Sequence, residues 1–159
     1  MSKGSAEALL KVDNLVKHYP ITKGIIRQKQ VGAVRAVDGI SFEVREGETL
    51  GLVGESGCGK STTGRLLMRL EEPTEGSVRF ERHDWLAMGK NDLRRARKDM
   101  QIVFQDPFSS LNPRMTVGEM VGEPLLVHGI AKGAELERRT AKLLEVVGLD
   151  RSHARRYPH

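Results

Sequence analysis

Apolar positions follow two rhythms along the chain. From Leu9 to Tyr19 they alternate loosely with polar ones and predict a first strand. Gly39 to Val44 alternates cleanly, with Ile40, Phe42 and Val44 on one side, and predicts a second. Residues 20–33 between them are polar, basic and punctuated by Pro20, Gly24 and Gly32, so they predict a surface loop. Glu48–Val53 is short and mostly apolar and predicts a parallel strand buried on both faces. Spacing then becomes helical over Ser61–Leu70, with Leu66, Leu67 and Leu70 on one face. Glu72–Gly76 breaks the chain, and Ser77–Phe80 predicts a short strand. Asn91–Asp99 predicts a helix capped by Asn91, and Met100–Phe104 a second buried strand. Thr116–His128 and Gly133–Val147 carry helical spacing. Pro124 is expected to break or kink the first, and Leu136, Leu143, Leu144 and Val147 to form the packed face of the second. The order is antiparallel strands, then an α/β core, then a helical segment.

Composition narrows the class. A chain of 159 residues can bury one real core. No apolar stretch reaches membrane-spanning length, and Met1–Ala8 holds no apolar signal core. A single cysteine, Cys58, excludes an internal disulfide and suits a reducing compartment. The formal net charge is +5. Its densest source is Arg94, Arg95, Arg97 and Lys98, flanked by Asp92 and Asp99, which reads as a solvated helix face. With few aromatics there is no base-stacking platform, so nucleic acid is not an expected partner. The five histidines show no metal-ligand spacing and read as surface or structural residues.

Chemistry concentrates between the third predicted strand and its helix. Residues 54–62 read GESGCGKST, the Gly-x4-Gly-Lys-Ser pattern of a phosphate-binding loop. Gly54, Gly57 and Gly59 permit backbone shapes that a Cβ resists. The N–H groups of Gly54, Glu55, Ser56, Gly57, Cys58, Gly59, Lys60, Ser61 and Thr62 then surround phosphate oxygens. Lys60 reaches the β- and γ-phosphates, and the Ser61 hydroxyl is placed to bind Mg2+. Strand, glycine loop and helix follow in the order the motif requires. The motif alone indicates a nucleoside triphosphate and no particular fold family.

Four stretches carry a narrower resemblance: Leu15–Pro20, Val53–Arg65, Ile102–Thr116 and Arg156–His159. In these the chain resembles the N-terminal part of an ABC transporter ATPase subunit, and more narrowly the ATP-binding subunits of bacterial dipeptide/oligopeptide importers. The third stretch is the most specific. The resemblance implies an α/β phosphate-loop ATPase core with an N-terminal antiparallel β region over residues 1–106. Residues 107–159 would continue from the Q-loop into a helical subdomain. It implies ATP and Mg2+ as cofactors. Tyr19 would stack on adenine, its flat ring suiting a purine; the alternative is a strand-end tyrosine packed on the core. Gln105 would be the Q-loop glutamine, coordinating Mg2+ or orienting water, and with Lys60 it would serve catalysis. Phe108, Leu111 and Met115 would receive the permease's coupling helix. Expected partners are permease subunits, a second ABC ATPase subunit and, indirectly, an extracytoplasmic solute-binding protein. The expected location is peripheral, on the cytoplasmic face of the bacterial inner membrane.

The resemblance also implies motifs that this sequence does not contain: the signature loop, the Walker B strand, the D-loop and the switch histidine. The expectation is therefore a truncated cassette that binds ATP without its hydrolytic residues. Two alternatives stand beside it. Asp106 closes the Met100–Phe104 run and is a candidate Walker B aspartate in a small complete phosphate-loop enzyme. The chain is otherwise a non-catalytic fragment that docks on a permease.

Overall fold

A computed structural model gives the fold of residues 7–23, 29–106 and 108–159. Two compact units are present, the first running to Gln101 and the second starting at Ile102.

The first unit is built on a four-stranded antiparallel sheet of order β2-β1-β3-β4. β1 (Leu10–Lys23) lies between β2 (Lys29–Val44) and β3 (Glu75–Phe80), and β4 (His83–Asp84) closes a short hairpin with β3. Val12 stands opposite Phe42 on one side and Val78 on the other, so alternation puts these three on one face. That face carries the core: Val12, Leu15, Val37, Val78 and Phe80 from the sheet, with Leu66, Trp85 and Leu93 laid over it. Leu66 comes from α1 (Lys60–Leu67) and Leu93 from α2 (Lys90–Ala96). The Trp85 ring meets Phe80 edge-on, centroids 5.5 Å apart.

Several sequence expectations are corrected here. The loop over residues 20–33 is largely strand: Tyr19 pairs with Val34, Pro20 with Ala33 and Lys23 with Lys29. Pairing of β1 with β3 stops at Val16. Beyond it β1 has a partner on one side only, a place where a proline's missing N–H need not break a ladder. Residues 24–28 of the expected loop lie outside the described residues.

Neither Glu48–Val53 nor Met100–Phe104 forms a strand. Leu50 and Leu52 are exposed, Val53 is 89% exposed and Val103 92%. A parallel strand is made by neighbours on its edges and helices on its faces. Among the described residues no strand pairs with either run.

The helix after the glycine loop ends at Leu67 instead of Leu70. Arg69 turns left-handed at φ 50°, and Leu70 is exposed. The carbonyls at this helix end need donors. Arg97 supplies them, donating to Arg69 O at 2.8 Å and Met68 O at 3.4 Å. The basic run is therefore not uniformly solvated, because Arg97 is turned inward to finish α1. Arg69 in turn donates to Met88 O at 2.6 Å. α2 begins one residue before Asn91, with Gly89 as its cap and no side-chain capping bond. A 3-10 turn over Arg97–Asp99 follows it.

The second unit is helical. α3 (Val117–Val127) starts at a capping box: Thr116 Oγ1 accepts from Glu119 N–H at 3.3 Å, and Glu119 Oε2 accepts from Thr116 N–H at 2.7 Å. Pro124 sits inside α3 without breaking it, since only one backbone donor is lost and the helix continues to Val127. α4 (Ala134–Val146) packs through Leu136, Thr140 and Leu144, while Leu143 and Val147 stay exposed. A Cβ on Gly122 of α3 would stand 3.0 Å from Thr140 Oγ1 and 3.4 Å from Leu136 Cδ1, so glycine lets the two helices close. A 3-10 turn, Arg151–Arg155, ends the unit, capped by Asp150.

Candidate functional site

The glycine loop is shaped at three points. Gly57 and Gly59 take φ of 83° and 94°, left-handed values that an L side chain resists. Gly59 has a second reason to be glycine: a Cβ there would lie 2.1 Å from the Ala36 carbonyl oxygen on β2. The loop is thus pressed against the sheet at the point where α1 begins. Thr63 secures the first turn, its N–H and its hydroxyl both donating to Gly59 O, at 2.8 and 3.0 Å.

Lys60 is folded back over the loop. Its Nζ donates to Gly54 O at 2.7 Å, to Glu55 O at 2.6 Å and to Cys58 Sγ at 3.4 Å. Glu55, Ser56 and Cys58 are exposed, as is Ser61 in the first turn of α1. The donor set fits a phosphate group with a divalent cation: left-handed glycines, a helix N-terminus, an ammonium over the loop and an exposed hydroxyl beside it.

Tyr19, near the far end of β1, reaches the same helix. Its phenol donates to Glu71 Oε2, and Glu71 is also 3.5 Å from Arg65 of α1. The Glu71 carboxylate holds the Tyr19 pKa above the ordinary phenol value, with Arg65 and Thr62 pulling the other way. Thr62 and Tyr19 are therefore neighbours, which brings two predicted site residues together. Lys17 Nζ lies over the Tyr19 ring, 5.0 Å from its centroid, and donates to Glu72 O at 2.7 Å. Tyr19 is 36% exposed. Glu71 and Lys17 were not legible as site residues. Glu71 follows Tyr19 by 52 positions, and no local pattern marks it.

Gln105 and Asp106 belong to the second unit. Gln105 is exposed in an irregular stretch. Asp106 Oδ1 accepts the N–H groups of Phe108 at 3.0 Å and Ser109 at 3.2 Å, and its carbonyl accepts the Ser110 hydroxyl at 2.9 Å. These bonds, Ser109 first, hold its pKa below the usual carboxylate range. The aspartate therefore builds the turn that follows it. Phe108 is 80% exposed and Leu111 is exposed, whereas Met115 is half-buried.

Residues 37–158 match the ABC transporter family. The chain belongs to that family. The oligopeptide transport ATP-binding protein AppF of Bacillus subtilis (strain 168) is 46% identical over 160 residues, spanning 100% of this chain and 48% of AppF. The glutathione import ATP-binding protein GsiA of Pectobacterium atrosepticum is 49% identical over 154 residues, 97% of this chain and 25% of GsiA. Among solved structures, a dimeric post-hydrolysis state of the ATP-binding cassette MJ0796 bound to ADP and Pi matches with a TM-score of 0.76 at 28% identity. That match covers 94% of this chain and 61% of the cassette. The chain thus spans about half the length of AppF or less of its other relatives. As an ABC family member it has the α/β phosphate-loop ATPase fold class, of which it carries the antiparallel sheet, the loop with its helix and a helical segment. Membership sets the chain in the ABC family and apart from phosphate-loop GTPases and kinases.

Proposed function

We propose that this chain is the phosphate-loop half of an ATP site in the ATPase subunit of an ABC importer for peptides or a similar solute. The observation that carries the reading is the loop itself: Gly57 and Gly59 left-handed, Lys60 Nζ poised over the loop carbonyls and α1 starting directly behind. The loop amides and Lys60 bind the phosphates, Ser61 holds Mg2+, and Tyr19 stacks on adenine. Bound Mg2+ neutralises phosphate charge. Gln105, on an exposed stretch, links the nucleotide to the permease, and exposed Phe108 and Leu111 fit the contact patch for its coupling helix.

On this reading a second ABC ATPase subunit closes the site. The relatives' names support a peptide-like solute. Among the described residues no helix is long and apolar enough to cross a membrane. The proposed subunit is held peripherally at the cytoplasmic face through its permease.

Equilibrium binding and turnover of Mg-ATP by the 159-residue chain test the proposal, beside Lys60→Ala. Binding without turnover, lost in Lys60→Ala, is expected. Robust turnover by this chain alone would place a complete catalytic set within it and overturn the half-site reading.

A further inference from the structure

Tyr19 is held at two points by the segment that follows α1. Its phenol donates to Glu71, and the ammonium over one ring face, Lys17 Nζ, is itself tied to Glu72 O at 2.7 Å. Glu71 is joined to the phosphate-loop helix through Arg65 at 3.5 Å, and Glu72 to Arg69 at 2.8 Å. Arg69 is anchored in turn on the Met88 carbonyl at 2.6 Å. A frame of alternating charge therefore runs from α1 to the ring. It fixes the ring's tilt through the hydroxyl and covers one face with a cation, while the residue as a whole stays 36% exposed.

An aromatic platform gains from being held, because a freely turning ring loses rotamer freedom each time a base stacks on it. We infer that Glu71 is a positioning residue for the nucleotide base: it orients Tyr19, and through it sets the affinity contributed by the purine without touching the phosphates. The inference rests on the reading of Tyr19 as the adenine platform. The raised pKa of the Tyr19 phenol accords with a carboxylate that accepts the hydrogen bond from its O–H.

The test separates base from phosphate by comparing ATP with inorganic tripolyphosphate, each with Mg2+, on the full 159-residue chain. Glu71→Ala is expected to weaken ATP about three- to tenfold, the scale of one hydrogen bond. Tripolyphosphate affinity should hold or rise, since Arg65 is freed. Glu71→Gln, whose amide oxygen still accepts the phenol, should restore ATP affinity. Tyr19→Phe should match Glu71→Ala, and the two together should lose no more than either alone.

Equal weakening of both ligands, additive losses in the double variant, or an unchanged ATP affinity in Glu71→Ala would each overturn the inference. Wild-type chain that binds tripolyphosphate and ATP equally would overturn it too, while leaving the phosphate loop in place. Binding of neither ligand would instead overturn the functional reading beneath it.

Discussion

Gly57 and Gly59 offer a matched pair of perturbations. Both are left-handed, so alanine at either position carries the same kind of backbone penalty, about 1–2 kcal/mol. Their surroundings differ. A Cβ at Gly57 meets nothing within 4 Å, whereas one at Gly59 falls 2.1 Å from Ala36 O. Ordinary contact between carbon and a carbonyl oxygen is near 3.4 Å, so the loop and β2 must separate by about 1 Å to admit the methyl. Overpacking of that kind typically adds about 1–3 kcal/mol. Gly57→Ala is therefore expected to lower stability by about 1–2 kcal/mol, and Gly59→Ala by about 2–5 kcal/mol. Urea unfolding measures both: the midpoints should fall in that order with slopes unchanged. ATP titration should show the larger loss for Gly59→Ala, because the displaced segment is the start of α1. Equal midpoints for the two variants would show that the loop does not lean on β2, and would refute the argument from close approach.

Two further outcomes follow from the same structure. Cys58 lies exposed within the loop, its Sγ 3.4 Å from Lys60 Nζ, so full alkylation should abolish ATP binding and bound ATP should slow the reaction; undiminished ATP affinity after complete modification would contradict this. Thr116→Ala removes the capping box of α3 and should cost the helical unit about 1 kcal/mol. The Thr116 backbone N–H holds the Glu119 pKa below its ordinary value, so that contribution is present above the ordinary glutamate pKa and fades as pH falls through the lowered one. Helical content followed by circular dichroism through acid titration should therefore decline in the wild type and lose that acid step in Glu119→Gln.

What the sequence revealed was local. Helical spacing over Thr116–His128 predicted a helix, and the structure starts one at Val117. The glycine loop announced its shape because three glycines and a lysine have few other common uses. The larger errors concern partners distant in the chain. Pro20 looked like a loop residue, yet Ala33 across the hairpin makes it strand. Val53 and Val103 looked buried, but burial in a sheet belongs to the neighbour as much as to the residue. Arg97 read as one charge in a solvated run, and only the folded chain brings it to the open carbonyls of Met68 and Arg69. Glu71 fell between the predicted helix and the predicted chain break, and its partner Tyr19 lies 52 positions away.

Lys60 ties the end of the glycine loop back to its beginning. With its ammonium bound to the carbonyls of Gly54 and Glu55, the cation that later meets phosphate first serves as an internal ligand. Nucleotide entry is then an exchange: two lysine–carbonyl bonds are given up as phosphate contacts form. Measured affinity reports only the difference. The same tether spans the loop from its first residues to the start of α1, so the charge and the loop's shape are set by one side chain.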